Sequence, residues 1–128
     1  MDLTRLQSWI DAYVAAWSSN DPTEIGELFA KDARYYTHPF RQPWRGRDDI
    51  VKNWIEDPDA PGSWDCRYEP LAVNNETGVV RGDTTYYEKD ASVRTKFANV
   101  FVIDFDADGR ATEFTEFFME SNPAPRSS

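Results

Sequence analysis

Three helices laid over a curled antiparallel β-sheet, an α+β domain, is the fold this sequence predicts. Three observations lead there. Apolar residues recur every three or four positions up to about residue 57. From Trp64 onward the period changes to two. The period-two segments are joined by short turn-type sequences, which make an antiparallel meander.

Each element has its own signal. Leu3, Leu6, Ile10, Tyr13, Val14 and Trp17 form one apolar stripe, so a first helix is expected with Trp17 on its buried face and Trp9 off it. The helix stops near Ser18-Ser19-Asn20. Asp21-Pro22-Thr23-Glu24 starts a second, short helix: the aspartate caps, the proline takes the first helical position and the glutamate follows three after the cap. Ile25, Leu28 and Phe29 face inward from it. Residues 33–38 read as a first strand, ended by Pro39, with Arg34, Tyr36 and His38 on one face. A loop runs from Phe40 to Arg45. Gly46 precedes a third helix with Ile50, Val51, Trp54 and Ile55 inward, which ends before Pro58. Asp59-Ala60-Pro61-Gly62 is a loop. Strands follow at about 64–74, 77–88, 94–106 and 110–120, joined by Asn74-Asn75, Lys89-Asp90-Ala91-Ser92 and Asp106-Ala107-Asp108-Gly109. Pro70 lacks a donor and suits the edge position that opens a meander. A long meander curls, and only the helices are available to cover its concave face. Residues 1–121 are expected to form one domain, and 122–128, rich in proline and serine, a disordered tail.

Composition narrows the function. The chain has 128 residues, 14 basic and 23 acidic, for a net charge of −9. Nucleic acid and anionic membranes would repel it, so neither is an expected partner. A single cysteine, Cys66, allows no internal disulfide, and with a single histidine it leaves no zinc-type ligand set; no metal or cofactor is expected. The first residues lack a signal-like apolar core and no apolar run approaches the ~18 residues of a membrane span, so a cytoplasmic protein is expected.

The stretch Val79 to Tyr87 carries the chemistry of this reading. Strand alternation puts Arg81, Asp83, Thr85 and Tyr87 on one face and Val80, Gly82, Thr84 and Tyr86 on the other. With the first set turned inward, a buried Arg and Asp need partners. In the next strand Phe97, Asn99, Phe101, Ile103 and Phe105 share the bulkier face, and Asn99 among aromatics hints at a pocket. In the last strand Phe114, Glu116 and Phe118 share a face; a one-residue change of parity would exchange Glu116 for Glu113. Trp17, Trp54, Thr85, Phe97, Asn99, Phe101, Phe114 and Phe118 are expected around a small apolar ligand. The apolar residues Val100 and Val102 on the opposite sheet face predict a homodimer built sheet to sheet.

Asp21-Pro22, Leu28-Phe29-Ala30, Asp32-Ala33, Tyr36-Thr37-His38-Pro39, Gly46 before a helix and Asp108-Gly109-Arg110 before the last strand resemble the SnoaL-like branch of the nuclear transport factor 2-like superfamily. The resemblance spans roughly residues 3–120 and implies a cone-shaped, curved mixed sheet with three helices over its open side and a pocket between. Locally, Arg81-Gly82-Asp83, the acid Glu116 seven residues after Gly109, and Tyr36 are similar to the Arg-x-Asp, last-strand acid and tyrosine of limonene-type epoxide hydrolases. Two positions differ from that pattern: Glu116 stands for an aspartate and His38 for an asparagine. The resemblance implies that Asp83 donates a proton to an opening epoxide, that Glu116 activates water held by Tyr36 and His38, and that Arg81 bridges both acids. Other readings stay open: an isomerase or cyclase using Asp83 with Tyr36, a binding protein without catalysis, a purely structural ion network, and a placement of these charges on the outer, dimer-forming sheet face.

Overall fold

The computed structural model describes residues 1–60 and 62–121; the expected tail at 122–128 and Pro61 lie outside the described residues. Three helices come first or nearly so: α1 (Leu3–Ser19), α2 (Pro22–Glu27) and α3 (Arg47–Glu56). The strands are β1 (Phe29–Tyr36), β2 (Trp44–Arg45), β3 (Trp64–Asn74), β4 (Thr77–Tyr87), β5 (Val93–Phe105) and β6 (Ala111–Glu120). They form one six-stranded sheet in the order β2-β1-β6-β5-β4-β3. β1 runs parallel to β6 and every other pair is antiparallel, so the sheet is mixed. The α+β layout, a curved mixed sheet with the helices over its concave face, is as expected.

The caps behave as the sequence requires. The Asp2 carboxylate accepts from the Arg5 N–H at 2.8 Å and opens α1, and Asp21 accepts from the N–H groups of Thr23 and Glu24. Asn20 ends α1 in the left-handed region at φ 53, its N–H donating to the Ala16 carbonyl. Pro70 does sit in an edge strand, β3.

Three local expectations change. β1 begins at Phe29, earlier than expected, because Phe29 and Ala33 pack inward as strand residues beside Ala111 and the rest of the core. The short β2 pairs Trp44 with Tyr35 inside what reads as a loop; a two-residue strand leaves no periodicity to find. On α1 the buried set is Leu6, Trp9, Ile10, Tyr13 and Ala16, while Leu3 is 52% exposed. Trp9, not Trp17, is therefore the core tryptophan. Its indole N–H donates to the Leu28 carbonyl at 3.0 Å, and its ring packs against Tyr13, Phe29, Phe105 and Phe114. Trp17, half-buried, stacks instead on Trp64 at 3.7 Å and 7°.

Aromatic rings make the centre of the core. Trp44, Tyr35, Phe114 and Tyr13 lie in a near-parallel column with successive centroids 4.9, 4.5 and 5.5 Å apart. Such contacts stabilise by about 0.5–1.5 kcal/mol each beyond simple burial. At Gly78 an added Cβ would meet Leu6 Cδ1 at 2.8 Å, so glycine lets α1 rest directly on β4.

Two substitutions separate the tryptophans. Trp9→Ala is expected to lower stability by about 3–5 kcal/mol in urea unfolding, and Trp17→Ala by less than half as much. The reverse ranking would contradict this packing.

Candidate functional site

Between the helices and the inner sheet face lies a cavity of about 290 Å³. That is at the small end of ligand pockets, which span roughly 300–1,000 Å³. Its floor comes from β3–β6, where the strand register aligns the inward residues: Tyr68 opposite Gly82, Gly82 opposite Asn99, Val80 opposite Phe101, and Phe101 opposite Glu116. Tyr13 and Trp17 from α1, Trp54 from α3 and Tyr35 from β1 close its walls.

Four polar side chains, one from each of four consecutive strands, cross this floor in a single chain. Tyr68 O–H and Thr84 Oγ1 are 2.5 Å apart; Thr84 Oγ1 donates to Asn99 Oδ1 at 2.9 Å; Asn99 Nδ2 donates to Glu116 Oε2 at 2.7 Å. With the Thr84 proton given to Asn99, Tyr68 is the donor to Thr84. Every step points toward the carboxylate. Thr84 and Asn99 are buried, so this satisfaction is required rather than decorative.

Burial raises the Glu116 carboxyl from an ordinary 4.5 to about 7, although the Asn99 hydrogen bond pulls it back down. The tyrosines around it respond in the same direction. Burial, and then the neighbouring phenol, Glu116 and Tyr68, hold Tyr13 well above the usual phenol range; burial and then Glu116 do the same to Tyr35. Their hydroxyls are 2.9 Å apart. Two O–H hydrogens serve that one bond, which leaves the other free to donate to a ligand.

The expected site residues divide by face. Glu116, Asn99, Trp17, Trp54, Phe97, Phe101 and Phe118 all line the cavity. Phe114 is fully buried in the aromatic column rather than on the cavity wall. Arg81 and Asp83 project from the other side of β4. Both are exposed, Arg81 pairs with Glu69 across the strand at 3.1 Å, and Asp83 stands opposite Arg67. Thr85 shares that outer face, opposite Lys96. Tyr36 aligns with Thr115 on the outer parity of β6, where Arg34 also pairs with Glu113 at 2.7 Å. His38 lies beyond the end of β1; its Nδ1 accepts from the Phe40 N–H at 3.1 Å and its ring meets Phe118 edge-on. The structure thus does not assemble the acid–arginine–acid bridge: Glu116 is inside and its two intended partners are outside. Turning Arg81 and Asp83 inward would bury two charges, whereas the alternative set Val80, Thr84 and Tyr86 buries easily.

What the motif contributes to the site is its glycine. A Cβ on Gly82 would lie 2.0 Å from Tyr68 Cδ1 and 2.1 Å from the Arg67 carbonyl oxygen. Only glycine lets the Tyr68 side chain cross β4 and reach Thr84 and Phe101.

Tyr13, Tyr35, Tyr68, Thr84 and Tyr86 were not among the expected site residues, and all line the cavity. The signal for Tyr35 was one position from Tyr36, and that for Thr84 and Tyr86 was the more apolar alternate face of β4. Cys66 is pushed up to about 11, by burial first and then by Asp65 and Asp83, so it remains a thiol at neutral pH. Among the described residues no group of three or more His, Cys, Asp or Glu side chains could hold a metal ion, and no helix is long and apolar enough to cross a membrane.

A small, aromatic-walled pocket under three helices and a curved mixed sheet is the architecture of the nuclear transport factor 2-like superfamily. Residues 10–114 match the SnoaL-like domain family, and the chain belongs to it. The fold is shared with the crystal structure of a nuclear transport factor 2-like protein of unknown function from Burkholderia xenovorans: TM-score 0.71, 14% identity, covering 96% of this chain and 89% of that one. No curated protein matches the sequence.

Glu116 links pH to stability. Its folded value lies above its unfolded one, so the folded state holds the proton more tightly, and this contribution is present below about 4.5 and is lost as pH rises through about 7. The span corresponds to at most about 3 kcal/mol. Glu116→Gln is therefore expected to be more stable than the parent at pH 8 and to lose that advantage near pH 4, as read by thermal melts at both.

Proposed function

We propose that the protein is a small-molecule enzyme in which Glu116 moves a proton on a compact apolar ligand, a reaction of the isomerase or cyclase kind. The observation that carries this reading is one carboxylate, buried among aromatic rings, held as an acceptor by Asn99, with its pKa brought to about 7. A proton-transfer group is most effective when its pKa lies near the operating pH, and desolvation is how a glutamate is brought there. The free hydroxyl proton of the Tyr13–Tyr35 pair supplies the complementary group, a neutral donor for an oxygen that gains negative charge as the proton leaves carbon. Both phenols are held far from ionisation, so they donate without competing as bases.

Opening an epoxide needs an acid and a base together. With Asp83 on the outer face, Glu116 has no second carboxylic acid beside it from β4, and the epoxide reading loses its expected proton donor. The single-acid reading keeps all of its parts inside the cavity.

We also propose that the outer sheet face pairs two copies of the chain. Val79, Val100 and Val102 lie beside one another there; Phe117, opposite Val100, is 44% exposed, and Met119, opposite Ala98, is 76% exposed. Val100→Lys is expected to convert a dimer into a monomer in sedimentation or light scattering, and a parent already monomeric at micromolar concentration would contradict the pairing.

The catalytic reading is checked by following isomerisation of cyclic β,γ-unsaturated ketones, with solvent deuterium entering the carbon skeleton. Glu116→Gln is expected to lower turnover by about 100-fold or more. In the parent, kcat/KM rises with pH as the carboxyl ionises, with its midpoint near 7, because the ionised form is the base. The groups facing that carboxyl are Tyr13, Tyr35, Tyr68, Tyr86 and Asn99, none of which changes charge in that range. A profile without that midpoint, or full activity in Glu116→Gln, would refute the role given to Glu116.

A further inference from the structure

The charged side chains that line the cavity are all of one sign. Asp57 and Asp59 stand at its mouth and Glu116 on its floor, and among the described residues no lysine, arginine or histidine lines it. Asp59 is fixed in place by accepting from the Trp17 indole N–H at 2.9 Å. Asn20 also lines the cavity, with its side-chain oxygen buried and without a hydrogen-bond partner among the described residues.

The backbone adds to the same field. Asn20 is the C-cap of α1 and Asp57 the C-cap of α3, so both helices end at the cavity. A helix C-terminus carries partial negative charge, and neither helix has a basic residue in its last turn to offset it. The walls are largely aromatic: Trp17, Trp44, Trp54, Tyr86, Phe97 and Phe118. Aromatic rings attract cations electrostatically over their faces, most strongly where water is excluded. One of them already does so, since the exposed Arg94 places its guanidinium carbon 5.1 Å from the centre of the Tyr86 ring.

From these features we infer that the pocket takes a compact apolar ligand bearing a protonated amine or a quaternary ammonium group. Anionic ligands are excluded by three carboxylates and two helix ends. A neutral hydrocarbon would fill the aromatic walls but leave the carboxylates without a counter-charge. An organic cation satisfies both at once: its hydrocarbon packs on the rings, and its charge is met by Glu116 or the mouth carboxylates. This inference rests on the cavity's being the substrate site of the proposed proton-transfer enzyme, and it names the substrate class.

Three probes with one skeleton test it: aminoadamantane, hydroxyadamantane and adamantane carboxylate, titrated at pH 8 by isothermal calorimetry and by quenching of tryptophan fluorescence. The amine is expected to bind about 10-fold more tightly than the alcohol, and the carboxylate more weakly than both. Glu116→Gln and Asp57→Asn are each expected to reduce the amine's advantage several-fold; thermal melts establish that both variants fold, and Asp57, at the exposed mouth, carries the test if Glu116→Gln does not. Equal affinities, or tighter binding of the alcohol or the carboxylate, would overturn the inference. So would an amine preference unchanged in every folded variant, because the charge would then be read elsewhere. The probes are unreactive, so the result is separate from catalysis. Amine preference without Glu116-dependent turnover removes the enzyme reading and keeps the ligand class; turnover without amine preference does the opposite.

Discussion

The hydrogen bond from Asn99 to Glu116 is the interaction on which the arrangement of this protein turns. A carboxylate enclosed by aromatic rings must be held by donors, and the donors here are supplied in sequence by the sheet itself. Tyr68, Thr84 and Asn99 come from three consecutive strands and hand hydrogen bonds toward Glu116 on the fourth. A one-residue slip of any strand would turn its member to the outside and leave a buried polar group unpaired. The polar chain therefore specifies register across the sheet as well as the chemistry of the cavity.

Stability and the proposed proton transfer pull against each other at that point. The same desolvation that brings the Glu116 carboxyl to about 7 makes its ionised form unfavourable in the folded protein. The aromatic column beneath, from Trp44 through Tyr35 and Phe114 to Tyr13, provides apolar burial that offsets such a group. It also positions the two phenols whose shared hydrogen bond leaves a donor for the ligand. Core and site are built from the same rings, which is why Tyr13 and Tyr35 belong to both.

The outer face of β4 illustrates where charge is inexpensive. Arg81 and Glu69 pair in solvent, a contact of the kind that contributes about 0–1 kcal/mol. Asp83 stands beside Arg67 in the register on the same surface. The Arg-Gly-Asp spacing matches an internal catalytic pattern, yet its two charges carry no burial requirement here. Its glycine does, through the close passage of Tyr68. A short motif read by type and spacing therefore leaves open which face of its strand it occupies.

The sequence by itself determined the three helices and the meander strands, their order and the cap at Asp21, and it favoured the inward faces of β5 and β6. Those two faces were legible because each set bulky aromatics around one polar residue, Asn99 or Glu116, against a lighter or more mixed alternative. Trp9 was misplaced: it lies three residues after Leu6 and four before Tyr13, yet the stripe as read left it out and took Trp17 instead. Tertiary structure alone decided the parity of β4, the parallel pairing of β1 with β6, the short β2 and the convergence of two helix ends on the cavity. The physical reason is that alternation along a strand defines two faces without saying which one is covered. For β4 the answer lies in its register with β5, where Gly82 meets Asn99 and Thr84 meets Phe97. That register, together with the burial it imposes, put Thr84 and Tyr86 inside and Arg81 and Asp83 in water.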